Sequence, residues 1–380
     1  MPSLYVHIPF CEKKCLYCDF YSIENRSSMV DFLSALHREI EMYRSLGDGV
    51  TFETVFFGGG TPSLLSPEQL GSLLSHLHEV YKIGSDAEIT VETNPGTVTT
   101  EKLRAYRSLG VNRLSIGIQS FHEDELKFLS RIHDANQALQ CVRLARAAGF
   151  ENLSIDLIFS IPGQTLARWK SNLNQALSLA PQHISAYSLI VEENTPLARL
   201  VASKQVSPNP VEEEAEMYEF TMKFLGSHGF EHYEVSNYAR PGFRSRHNYN
   251  YWTHENYLGF GPSAHSFWKQ QEAGFGKRWW NIANLSHYCE RLLGNQLPLT
   301  SQEFVKAREL MNERVFLGLR SDGLDLTRFE REFGVLLSDT HESTINQLIN
   351  EEYAAIEDRR LRLTPKGFLL CDEISERLLP

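Results

Sequence analysis

Six short β-rich runs, each followed by a stretch of helical period, constrain the fold of this chain more than any other feature. They are LYVHI (Leu4–Ile8), TVFF (Thr54–Phe57), EITVE (Glu88–Glu92), RLSIGI (Arg113–Ile118), NLSIDLIF (Asn152–Phe159) and HISAYSLI (His183–Ile190). Val, Ile, Phe and Tyr are frequent in them, and their apolar runs predict strands covered on both faces. Between them, segments such as SMVDFLSALHREIEMYRSLG, SPEQLGSLLSHLHEVY and HDANQALQCVRLARAAG place apolar residues at helical spacing. Ser66, Pro67 and Glu68 read as a helix cap with proline at the first helical position. Gly47 and Gly149 read as left-handed ends of their helices. Strands alternating with helices imply an α/β fold with a parallel sheet and right-handed crossovers, either open or curved into a partial barrel.

The 380 residues are 42% hydrophobic and 22% charged, the balance of a soluble globular protein rather than a disordered one. A formal charge of −11 argues against a nucleic-acid binder that works by neutralising phosphates. No apolar run approaches the roughly 18–20 residues of a membrane span. The start, MPSLYVHIPFCEKK, has no signal-peptide pattern, so the chain is expected to be cytoplasmic.

After Glu192 the rhythm fades. NTPLARLVASKQVSPNPVEEEAEMY reads as a loop leading into a helix, and residues 228–280 are dense in Tyr, Trp, Asn and His. From about Thr300 a separate helical unit begins, ending in a hairpin and a last helix, which suggests a winged-helix-like shape. Its acidic side chains outnumber the basic ones, so a packing or lid module is expected rather than a DNA reader. The expected division is a barrel core at 1–195, a barrel extension at 196–299 and a mostly helical C-terminal domain at 300–380.

Polar residues recur at the C-terminal ends of the predicted strands: Gly58 to Thr61, Glu92 with Asn94, Gln119 and Asp156. Parallel α/β folds build their sites on that edge. The loop after the first strand, CEKKCLYC, adds Cys11, Cys15 and Cys18. Structural zinc wants four ligands, usually as two separated pairs, and here only Asp19 or His7 could complete the set. An iron–sulfur cluster with one iron left open fits three soft thiolates better. Cys141, Cys289 and Cys371 are scattered and read as small buried hydrophobes.

YVHIPFCEKKCLYCDF, FFGGGTPSLL, ETNPGTV, RLSIGIQSF, LSRIHD and DLIFSIPGQT, in that order, resemble the radical S-adenosylmethionine (SAM) superfamily. Within it they are similar to the group that holds oxygen-independent coproporphyrinogen III oxidase (HemN) and the heme chaperone HemW. The resemblance implies a partial (β/α)6 barrel in which Cys11, Cys15 and Cys18 hold a [4Fe–4S] cluster, with SAM on the open iron. It further implies SAM contacts from Tyr5, Tyr17, Gly59, Gly60, Thr61, Glu92, Gln119, Arg131 and Asp156. Ser160 stands where the family pattern has glycine.

Two features point to the chaperone side. Phe20 occupies the place of the oxidase's further cysteine, and the oxidase's long N-terminal extension has no counterpart before Cys11. SRHNYNYW (Ser245–Trp252) also matches a His-Asn-x-x-Tyr-Trp signature associated with the chaperone. The expected ligands are therefore heme, the cluster and SAM, with His247 as first candidate for a heme contact and His265 as second. The expected partners are a heme-acceptor protein such as a respiratory enzyme and an electron donor for the cluster. The alternatives are the oxidase, a related radical SAM methyltransferase and a zinc-stabilised barrel. Homodimer formation, peripheral membrane contact and SAM cleavage are left open.

Overall fold

A computed structural model describes residues 1–270 and 275–379. The expected strands are present as β1 (Ser3–Ile8), β2 (Thr51–Gly59), β3 (Lys82–Thr93), β4 (Arg113–Gln119), β5 (Asn152–Phe159) and β6 (His183–Ser188). Neighbours in the chain pair in parallel from β1 through β6. Helices α1 (Met29–Met42), α2 (Pro67–Val80), α3 (Thr100–Ser108), α4 (Glu123–Phe128), α5 (Ala135–Ala147) and α6 (Leu166–Ser178) supply the crossovers. Ser66 caps α2 in a reciprocal box with Gln69, and Gly149 closes α5 at φ +90°.

Gly47 differs from its expected role. It ends a short 3-10 turn, Arg44–Gly47, and is absent from the residues with positive φ. A Cβ there would lie 2.4 Å from the Tyr81 ring, so glycine serves close approach rather than a left-handed cap.

The faded region holds strands that sequence patterning missed: β7 (Glu231–Glu234), β8 (Asn237–Ala239), β9 (Tyr257–Phe260), β10 (His265–Gln270), β11 (Phe275–Asn281) and β12 (Leu299–Val305). Several are only three or four residues long, too short for an alternation to register. They extend the parallel array at both ends, giving the order β12-β11-β10-β9-β1-β2-β3-β4-β5-β6-β8-β7. Because β1 pairs with β9 and β6 with β8, the first and sixth strands never meet. The barrel is partial.

Helices α7 (Pro196–Ala202), α8 (Val211–Ser227), α9 (Arg246–Trp252) and α10 (Leu285–Leu293) belong to this extension. The remaining unit has α11 (Ala307–Leu319), β13 (Leu324–Asp325), α12 (Leu326–Phe333), α13 (Leu337–Thr340) and α14 (Glu342–Asn350). A hairpin of β14 (Ala354–Glu357) and β15 (Arg360–Leu363) and two short helices end it. It docks on the sheet through a Glu234–Ser321 bridge and the Arg278–Glu313 ion pair.

The two faces of the strands differ in what they meet. Leu4, Val6, Val55, Phe57, Ile89, Val91, Leu114, Ile116, Leu153 and Ile155 are buried in the main hydrophobic core. The alternate positions, among them Tyr5, Glu92, Ser115, Asp156, Ser185 and Tyr187, line a cavity instead. Side chains on a strand alternate between faces, so the outer face is hydrophobic and the inner face is largely polar. A hydrophobic interior would have made this barrel a packed core, whereas a polar one makes it a container.

Candidate functional site

A cavity of about 560 Å³ opens at the C-terminal ends of the parallel strands. Every residue expected to contact the cluster or SAM lines it: Tyr5, Cys11, Cys15, Tyr17, Cys18, Gly59, Gly60, Thr61, Glu92, Gln119, Arg131 and Asp156. His247 lies on its wall, and His265 does not reach it.

The cysteine loop is tied down at its base by Cys11 N–H donating to Ile23 O at 2.9 Å and Lys14 N–H to Glu24 Oε1 at 2.9 Å. Cys11 is buried and Cys15 and Cys18 half-buried, all three as free thiols. Burial pushes the Cys18 thiol up to about 11. Neither of the zinc-completing candidates is placed for that task. His7 has Nδ1 3.1 Å from Tyr5 Oη and Nε2 2.8 Å from Tyr21 O, and Asp19 is exposed. Among the described residues, no group of three His, Cys, Asp or Glu side chains is arranged to hold a single ion. Three soft thiolates suit a larger cluster with its own inorganic bridging atoms better than a closed four-ligand site.

The glycine strand end forms the adjoining wall. Gly59 has φ +105°, and a Cβ there would meet the His7 ring at 2.6 Å. A Cβ on Gly60 would stand 2.7 Å from Phe10 O and 2.9 Å from Ile8 O, and backbone cannot yield. Both glycines are required by this close packing, and both line the cavity with backbone alone. Thr61 Oγ1 donates to Cys11 Sγ at 3.6 Å, and Gly59 N–H donates to Glu92 Oε2 at 3.2 Å.

The cavity floor carries two acids, Glu92 and Asp156, both half-buried. Burial, then the nearby Asp156 charge, raises Glu92 to about 8. Burial also raises Asp156, although Ser115 donates to it at 2.9 Å and Ser154 at 2.9 Å. Arg113 lies on the same face of β4 as Ser115 and is 1% exposed, with Nε and Nη1 unpartnered.

Arg131 spans the cluster loop and the strand ends. Its Nη1 donates to Cys15 Sγ at 3.3 Å, and its Nη2 donates to Asn94 Oδ1 at 3.0 Å and Gly117 O at 2.8 Å, while Nε has no partner. Non-glycine residues with positive φ cluster at this rim: Gln119 (69°), Ser130 (60°) and Ser160 (59°). Ser160 thus holds the left-handed backbone for which the family pattern supplies glycine. Behind the rim, Glu125 accepts from Ser120 Oγ at 2.5 Å, Asn172 Nδ2 at 3.0 Å and Gln164 Nε2 at 3.1 Å, and pairs with Arg168 at 2.8 Å. It locks the loops after β4 and β5 together. Sequence reading passed over Glu125, Arg113 and the serines, although alternate-residue spacing along each strand would have flagged Arg113, Ser115 and Ser154.

The His-Asn-x-x-Tyr-Trp segment forms α9, seated inside the barrel. Glu88 accepts from Arg246 N–H and His247 N–H, both at 3.1 Å, completing the first-turn amides of the helix. The His247 ring stacks on Phe56 at 4.8 Å. Its Nδ1 lies 2.8 Å from Thr54 Oγ1 and its Nε2 3.0 Å from Tyr251 Oη. Burial, then the Arg113 charge, lowers it to about 3, so the ring is neutral. With both nitrogens engaged, His247 is occupied as a packing and hydrogen-bonding element of the wall. His265 is exposed on β10, where it stacks on Trp280 at 5.8 Å.

Three clustered thiols, a glycine cradle and a polar partial barrel define a radical SAM protein, and residues 5–176 match the radical SAM superfamily model. Residues 305–370 match the HemN C-terminal domain. The chain is 39% identical to the heme chaperone HemW of Bacillus subtilis, over 98% of each chain. It is 34% identical to HemW of Lactococcus lactis, over 99% of this chain and 97% of that one. The chain belongs to the HemW family of radical SAM proteins. Coproporphyrinogen III oxidase (HemN) from Escherichia coli shares the fold, with a TM-score of 0.83 at 24% identity over 100% of this chain and 90% of that one. Membership of the superfamily implies a [4Fe–4S] cluster and SAM. No described helix is long and apolar enough to cross a membrane.

Proposed function

We propose that this chain is a cytoplasmic heme chaperone of HemW type, which binds heme and delivers it to an acceptor protein. The observation that carries the reading is relatedness at 39% identity across 98% of both chains to a protein of that name. A full-length match includes the C-terminal unit and the α9 segment as well as the barrel.

In this reading Cys11, Cys15 and Cys18 hold the cluster, and SAM lies against Gly59, Gly60 and Thr61. When bound, the cluster supplies one electron at a low potential and an open iron for the amino and carboxylate groups of SAM. The chain's own residues do the positioning. Arg131 braces Cys15 through Sγ and lines the cavity, where its guanidinium charge suits an anionic group. Glu92, held at about 8, carries a proton at neutral pH and can donate a hydrogen bond from the cavity wall. Asp156 is fixed by its serines as an acceptor. His247 lines the same cavity and stands as the first candidate for a heme contact.

Two parallel incubations test the reading. Anaerobically reconstituted protein is mixed with hemin, and separately with coproporphyrinogen III, SAM and a reductant. Stable hemin uptake without protoporphyrinogen formation is expected. Efficient decarboxylation of the porphyrinogen would make the chain an oxidase instead.

A further inference from the structure

The cavity mouth has features that the cluster and SAM leave unexplained. Twelve large hydrophobic side chains are exposed among the described residues, and three of them line this one cavity: Phe20 (63%), Tyr187 (40%) and Ile190 (65%). Scattered exposed apolar residues are ordinary, but a group around one opening calls for a ligand.

Topology puts the three on facing borders. Phe20 follows the third thiol of the loop after β1, while Tyr187 is the next-to-last residue of β6 and Ile190 lies just beyond the strand. β1 and β6 are the first and last strands of the crossover array and do not pair, so these residues straddle the barrel's seam. The two borders are linked where Leu197 N–H donates to Leu16 O at 2.9 Å. Lys14 Nζ donates to Phe20 O at 3.0 Å, which fixes the backbone carrying the ring.

We propose that Phe20, Tyr187 and Ile190 form the platform that receives the heme macrocycle, with Lys13 and Lys14 beside it to meet the propionates. The proposal rests on the heme-chaperone reading above and adds the location. A porphyrin is a flat apolar disc with two carboxylates on one edge. The mouth offers an aromatic ring, a phenol and a branched aliphatic side chain, together with two ammonium groups on the same cavity lining. Asp19 and Glu192 share that lining, so net charge does not select the ligand. The apolar faces supply affinity and the lysines orient the disc. Placed there, heme covers the opening above the cluster site, so cargo and cofactor occupy one cavity at different depths. The platform acts on the macrocycle rather than the iron.

The test is equilibrium binding of hemin, metal-free protoporphyrin IX and its dimethyl ester to the reconstituted full-length protein. The comparison is with Phe20→Ala/Ile190→Ala and with Val211→Ala, whose apolar side chain is likewise exposed but away from the cavity. The double variant is expected to lose at least tenfold in affinity for both hemin and metal-free protoporphyrin, with Val211→Ala unchanged. Lys13→Glu is expected to weaken the diacid several-fold and the dimethyl ester not at all. Wild-type hemin binding that survives in the double variant within twofold would overturn the platform and leave the chaperone reading standing. No hemin binding by the wild type would overturn both. Iron and sulfide content, measured on each variant, separates a local effect from loss of the cluster loop.

Discussion

Strand β5 carries Leu153, Ile155 and Leu157 into the main hydrophobic core and Ser154, Asp156 and Ile158 on its other face, the last two lining the cavity, and the two sets are held by different physics. The outward residues are fully buried among other hydrocarbons. Their contribution is non-directional and scales with the area removed from water. The inward polar residues are held by named partners, such as Ser115 and Ser154 on Asp156. Burying them costs free energy unless each partner is in place. One strand therefore gains stability on one face and gives part of it up on the other. The outer layer makes the container, and the inner layer makes the chemistry.

The strongest test of this division sets Cys15→Ala beside Leu153→Ala. Cys15→Ala is expected to abolish the iron and sulfide complement while shifting the unfolding midpoint of cluster-free protein little. Leu153→Ala, at 0% exposure, should cost about 2–5 kcal/mol of stability. Iron per folded molecule should stay near the wild-type value. If Cys15→Ala unfolds the protein as far as Leu153→Ala does, the two faces are not separable.

A smaller effect is read from pH. Burial raises the Glu92 carboxyl from 4.5 to about 8. Between those values the folded chain binds a proton that the unfolded chain releases, so this group's share of stability falls as pH rises through the window. Glu39, lifted by burial to about 7, and Glu234, lifted by burial to about 8, act in the same direction. Urea midpoints of cluster-free protein should decline from pH 7 to 9, above the range in which buried neutral histidines such as His247 give the opposite slope, and Glu92→Gln should decline less steeply. Identical slopes would show that Glu92 is charged in the folded state and that the inner face is wetter than its burial implies.

The smallest effect concerns the rim. Ser160 holds φ 59°, and its hydroxyl is 3.4 Å from Glu214 Oε2. Relief of the left-handed strain, less the greater chain entropy of glycine, should make Ser160→Gly more stable by about 0.5–1 kcal/mol. Thermal unfolding that moves downward instead would mean that the serine's hydrogen bond to Glu214 outweighs the backbone strain.

Much of the site is legible in the chain itself. Three thiols within one loop, glycines at a strand end and acids at later strand ends all sit on the same edge of a parallel sheet, because parallel strands align their C-termini. Local chemistry also specified the Ser66 cap and the Gly149 turn. The helical period did not settle Gly47, whose reason is the Tyr81 ring from another element.

Short-range pattern was enough for the crossover strands, the cysteine loop and the edge on which the site is built, since each is encoded by neighbours within a few residues. Where the histidines lie was decided by folding. His247 meets Thr54 across 193 residues of chain and so becomes a wall element, and His265 lands outside the cavity. Folding also settled that β9 and β8 close on β1 and β6, that Arg131 reaches Cys15, and that Phe20 and Ile190 come to line one cavity. Hydrogen bonds and cavities form between residues brought together from distant parts of the chain, and no local pattern records which distant partner will arrive.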